Sequence, residues 1–66
     1  MLRIKAERLR RGWTQLQLAV LTRLQTTEIS RIENGRFRPY PGQMLRLCNA
    51  LELTPEELLE EDEENG

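Results

Sequence analysis

The chain has 66 residues, 38% of them apolar and 32% charged, which limits it to one small domain and excludes a two-domain enzyme. A domain this short buries only about 60% of the surface its unfolded chain exposes, so nearly every large aliphatic side chain is expected in a single core. There is no histidine and one cysteine, Cys48, which removes histidine catalysis, an internal disulfide and a zinc site of the usual composition.

The carboxylates, Lys5 and Cys48 form no nucleophile or phosphate-loop motif, so no catalysis, metal, cofactor or small-molecule ligand is expected. The longest uninterrupted apolar run is Leu18–Leu21, too short to span a membrane, and no secretory leader is visible; a cytoplasmic location is the expectation. The net charge of −1 conceals a separation, because all ten Lys and Arg lie between Arg3 and Arg46 while eight of the eleven carboxylates lie from Glu52 onward. Residues 1–51 therefore carry ten basic and three acidic side chains, a balance of +7, and such a surface points to a polyanion, most commonly nucleic acid. Glu60 to Glu64, with Asp62 at its centre, reads as a frayed, solvated run, so the chain divides into a folded unit over 1–59 and an acidic tail over 60–66.

Leu2, Ala6, Leu9 and Trp13 recur at steps of four, three and four and Gly12 supplies a stop, which predicts a first helix over 2–11. Thr14 offers a cap to a second helix over 15–21, with Leu18, Ala19 and either Leu21 or Thr22 facing inward. After Leu24 in a turn, Thr26, Thr27, Ile29 and Ile32 mark a third helix over 26–33, ended by a left-handed Asn34-Gly35 stop. Arg36 to Pro41 reads as an irregular crossing into a strongly apolar fourth helix marked by Met44, Leu45, Leu47, Cys48 and Leu51. Thr54-Pro55-Glu56-Glu57 combines an N-cap, a first-position proline and a third-position glutamate ahead of Leu58 and Leu59. No stretch alternates with a β period, so the predicted fold class is all-α, a compact bundle of five short helices.

Two short helices joined by a turn of about four residues, in a bundle with a basic leading half, describe the helix-turn-helix unit that lays its second helix in the DNA major groove. The run Thr14-Gln15-x-x-Leu18-Ala19, Leu24, Ile29-Ser30-Arg31-Ile32-Glu33-Asn34-Gly35 and Pro39 resembles the Xre/Cro family of phage-repressor-like DNA-binding domains. Leu45-Arg46-Leu47, Ala50-Leu51 and the Leu53–Leu59 close extend the resemblance over residues 2–59. It implies a lambda-repressor-like fold and binding to double-stranded DNA.

The resemblance implies roles that the side-chain chemistry allows. Gln15 opens the second helix, where its amide and the backbone N–H groups can hold a phosphate. Gln25, Thr26 and Thr27 start the third helix, where Gln can pair with adenine and a Thr methyl can touch thymine. Arg31, one turn beyond Thr27, can reach guanine or a phosphate, and Asn34, Arg36 and Arg38 follow where the family touches the backbone. Glu28 either accepts from cytosine or repels phosphate. Arg8 and Glu33 stand where some relatives carry an ion pair between helices one and three, and are predicted to pair.

Departures from the family pattern are Arg23 for a glycine in the turn, Gln25 for a Ser or Thr cap, and Glu52 for a glycine after helix four. Leu16 and Val20 lie four apart on a face that relatives fill with charge, and are either ordinary exposed aliphatics or a contact with a second copy or another protein. Cys48 and Trp13 read as packing residues. The expectation is a cytoplasmic, sequence-specific regulator of transcription, dimeric on DNA; the alternative is an antitoxin-like or adaptor module that binds a protein through its acidic tail and apolar patch.

Overall fold

Short-range chemistry sets where the last four helices begin. In the computed structural model, which describes residues 1–62, α1 spans Arg3–Arg10, α2 Gln15–Thr22, α3 Thr26–Glu33, α4 Pro41–Leu51 and α5 Pro55–Leu58. Thr14 and Thr54 each close a reciprocal cap: the Gln17 N–H donates to Thr14 Oγ1 at 3.0 Å and the Glu57 N–H to Thr54 Oγ1 at 3.2 Å. In return, the Thr14 N–H donates to Gln17 Oε1 at 2.7 Å and the Thr54 N–H to Glu57 Oε1 at 2.8 Å. Helices α3 and α4 use the return bond, with the Gln25 N–H on Glu28 Oε1 at 2.9 Å and the Tyr40 N–H on Gln43 Oε1 at 3.0 Å. Helix α4 starts at Pro41, ahead of the first apolar marker Met44, because the fixed φ of proline suits a first helical position.

The chain leaves its first four helices in one way. A residue with positive φ follows each helix, Gly12 (73°), Arg23 (60°), Gly35 (71°) and Glu52 (57°). The next N–H returns to a carbonyl five residues earlier: Trp13 to Arg8, Leu24 to Ala19, Arg36 to Arg31 and Leu53 to Cys48, at 2.8–3.1 Å. Glycine adopts this conformation freely, whereas an L side chain costs about 1 kcal/mol. At Glu52 the cost is offset, because Arg11 Nη2 donates to Glu52 Oε1 at 2.8 Å and to the Leu51 carbonyl at 3.1 Å. Arg23 is exposed and has no ion-pair partner among the described residues. Replacing Arg23 by glycine is therefore expected to stabilise the fold by about 0.5–1 kcal/mol, read as a higher urea midpoint. A lower midpoint would mean that the Arg23 side chain makes a stabilising contact.

The interior is built from Ile4, Leu18, Ala19, Leu24, Ile29, Ile32, Met44, Leu47, Cys48, Leu51 and Leu58. One of the predicted faces, that of α1, is rotated, and in α2 the structure chooses between the two alternatives. The inward residues of α1 are Ile4, Ala6 and Arg8, while Leu9 is 49% exposed; the buried charge of Arg8 faces Glu33 and turns Leu9 outward. In α2 the inward residue is Thr22, whose hydroxyl donates to the Leu18 carbonyl at 2.7 Å, and Leu21 is exposed. Leu45 of α4 is likewise exposed. Trp13 is partly buried against the core with the Arg11 guanidinium 5.3 Å from its ring centroid. Burial, and then Glu56 and Glu57, push the Cys48 thiol up, away from the reactive thiolate.

Residues 60–62 are docked. Leu2 and Glu61 form an isolated antiparallel bridge, the Arg3 N–H donates to the Glu60 carbonyl at 2.8 Å, and the Asp62 N–H donates to the Met1 carbonyl at 2.7 Å. Asp62 is buried, with Arg10 Nη2 3.5 Å from Oδ2. A frayed tail beginning at residue 60 is thus corrected for these three residues: Arg3 and Arg10 supply the countercharges that a like-charged run lacks by itself. Residues 63–66 of that expected tail lie outside the described residues.

The cap of α5 carries a pH signature. The Thr54 backbone N–H holds the Glu57 carboxyl below its ordinary 4.5 against a smaller desolvation effect, with the Thr54 hydroxyl and Arg3 adding to the lowering. A depressed carboxyl stabilises the fold above its ordinary pKa, and that contribution is lost as pH falls through the folded value. Glu57→Gln keeps the Oε1 acceptor and removes the titration, so its melting temperature should fall less steeply below pH 4.5 than that of the parent chain; superimposable acid limbs would refute this.

Candidate nucleic-acid interface

Helix α3 buries Ile29, Ile32 and Glu33. Helical spacing then leaves Thr27, Arg31 and Asn34 in line on the outer side, with Gln25 and Thr26 exposed at the N-terminal end. Arg36 and Arg38 are exposed in the segment that follows. Eight residues at 1.5 Å each give a rod of about 12 Å, short enough to lie within the width of a major groove.

A buried network holds this helix. Arg8 Nε donates to Glu33 Oε2 at 2.6 Å, Nη2 to Glu33 Oε1 at 3.1 Å and Nη1 to the Trp13 carbonyl at 2.7 Å. Gln15 Nε2 donates to Glu33 Oε1 at 3.1 Å. One carboxylate at the end of α3 therefore ties α1 and the first residue of α2. It also orients the half-buried Gln15 amide, which keeps its second hydrogen and its oxygen for another partner. No buried side-chain nitrogen or oxygen among the described residues lacks a hydrogen bond.

The expected contact residue Asn34, and Glu28, whose role was left open, both carry structural bonds. Asn34 Nδ2 donates to the Ser30 carbonyl at 2.8 Å and so caps the last turn of α3. Glu28 accepts the Gln25 N–H through Oε1 and Gln43 Nε2 through Oε2 at 3.1 Å, placing a negative charge where the α3 dipole favours it and linking α3 to α4. That local role accounts for an acidic residue at this end of the helix.

The pairing of charges divides the surface. Arg3 pairs with Glu57 and Glu60, Arg8 with Glu33, Arg10 with Glu7 and Asp62, and Arg11 with Glu7 and Glu52. Every arginine of α1, and Arg11 after it, is thereby neutralised, largely by the acidic C-terminal end. Among the described residues no carboxylate lies within ion-pairing distance of Arg31, Arg36 or Arg38.

Lys5 is also without an ion pair among the described residues, and it borders a surface depression with Asn34 and Gly35. No sequence motif marks Lys5 for this face, since only the packing of α1 beside the end of α3 brings it there.

Among the described residues no group of three His, Cys, Asp or Glu could hold a metal ion, and no helix is long and apolar enough to cross a membrane. No match was found among curated proteins or among solved structures. The family model for the helix-turn-helix domain matches residues 2–61, nearly the whole chain, and the protein belongs to that family.

Proposed function

We propose that the protein binds double-stranded DNA sequence-specifically in the manner of Xre/Cro-type regulators and controls transcription. Helix α3 lies in the major groove; Gln25, Thr26, Thr27 and Arg31 meet base edges, and Gln15, Asn34, Arg36, Arg38 and Lys5 meet phosphates. The observation that carries this reading is the set of cations on and just after α3 that have no ion pair among the described residues, beside an α1 whose arginines are paired. At Arg31, Arg36 and Arg38 a polyanion meets donors without having to displace a described carboxylate.

Two copies on adjacent half-sites complete the reading, since one recognition helix covers only a few base pairs. Leu58 of α5 is fully buried in its own core, which favours pairing through the DNA over pairing through α5. Selection of bound fragments from a random duplex pool at physiological salt, run beside Arg31→Ala, tests both parts. An enriched palindrome that is lost in the variant supports specific two-fold binding. An enriched single half-site removes the dimer, and no enrichment above background overturns the sequence-specific reading.

A further inference from the structure

Helix α2 is apolar on more than one side. Leu18 and Ala19 face the core, yet Leu16, Val20 and Leu21 are 62%, 70% and 56% exposed. Contiguous exposed aliphatic side chains of this kind mark a contact surface, and nothing among the described residues covers this outer face. Two shallow depressions meet there at Trp13 and Leu21. One is bordered by Leu16, Gln17 and Val20, the other by Arg46, Asn49 and Ala50 of α4. Together they make an apolar groove with a cationic, amide-lined end.

The charge at that end indicates the occupant. Arg46 Nε donates to the Thr22 carbonyl at 2.7 Å, which fixes the guanidinium at the end of α2. Neither Arg46 nor the neighbouring Arg23 has an ion pair among the described residues, and the nearby Glu7 and Glu52 are held by Arg11. A second copy docked face to face presents the same patch, so among the described residues it sets arginines against arginines. DNA offers no apolar surface of this kind outside its grooves.

We propose that this groove docks an acidic amphipathic helix of a partner protein, whose aliphatic side chains at i, i+3, i+4 and i+7 cover Leu16, Val20, Leu21 and Trp13 while its carboxylates meet Arg46 and Arg23. An aromatic ring and an arginine beside exposed aliphatics are the side-chain types that dominate binding energy at interfaces. The inference is independent of DNA binding, since none of Leu16, Val20, Leu21 and Arg46 is assigned a DNA contact.

Trp13 is the only tryptophan, so its emission reports occupancy of the groove. The full chain is titrated with a synthetic helical peptide carrying leucine at those four positions and glutamate on its flanks, beside the same peptide with lysine for glutamate. The expected result is saturable binding of the glutamate peptide that weakens with salt, falls at least tenfold in Val20→Ser, and falls several-fold in Arg46→Gln, which retains a donor for the Thr22 carbonyl. Val20→Ser, at an exposed position, should keep its unfolding midpoint and its DNA affinity within twofold. Failure of the glutamate peptide to shift Trp13 emission, or equal binding of the lysine peptide, would overturn the proposal. Self-association of the free chain that disappears in Val20→Ser would overturn it in favour of a second copy.

Discussion

Replacing Arg8 by alanine is expected to destabilise the fold by about 3–5 kcal/mol, because the Glu33 carboxylate, whose side chain is 1% exposed, would stay buried with only the Gln15 amide beside it. A chain of 66 residues has only about 3–10 kcal/mol of stability in total, so the variant should be largely unfolded or should melt far below the parent. The paired replacement Arg8→Met with Glu33→Leu separates the value of the ion pair from the cost of orphaning half of it. It should recover most of the loss, since an apolar pair of similar volume can match a buried ion pair. Urea unfolding of the three chains checks this, and a loss under about 1 kcal/mol in Arg8→Ala would show that the carboxylate reaches solvent or a new donor. The paired variant also frees the Gln15 amide from Glu33, so its DNA affinity measures whether the buried network serves the interface as well as the core.

At the interface, Arg31→Ala should narrow the gap between preferred and unrelated DNA by about 1–3 kcal/mol, with Thr27→Ala acting in the same direction. Arg36→Ala and Arg38→Ala should instead weaken binding to all duplexes alike and each lower the slope of log affinity against log salt by about one. The contrast follows from position: Thr27 and Arg31 lie one turn apart on the exposed side of α3, whereas Arg36 and Arg38 lie in the irregular segment beyond Gly35. Fluorescence anisotropy with one selected and one scrambled duplex, over a range of salt, distinguishes the two classes. Equal effects of all four substitutions on both duplexes would mean a purely electrostatic surface, and unchanged binding in all four would remove this face from the function.

Several features of the chain are determined by neighbours in sequence. Thr14 with Gln17, Thr54 with Glu57, and glycine at 12 and 35 act within five residues of themselves, so the five helices and most of their ends are legible without the fold. The inward side of α3 is legible too, because Ile29 and Ile32 are its only large apolar residues.

The tertiary structure decided what depends on residues far apart in the chain. Which side of α1 faces inward was set by a partner 25 residues away, since Arg8 meets Glu33 and Leu9 is turned to solvent. Docking of residues 60–62 was set by Met1 and Arg3 through backbone bonds that no local pattern announces. Which cations are available was set in the same way: the sequence counts ten basic residues, but only packing shows that C-terminal carboxylates pair with Arg3 and Arg10 while Arg31, Arg36 and Arg38 have no ion pair among the described residues. Helix formation is a short-range equilibrium with a period readable from the chain, whereas charge pairing and facial orientation depend on distances that exist only once the helices are packed.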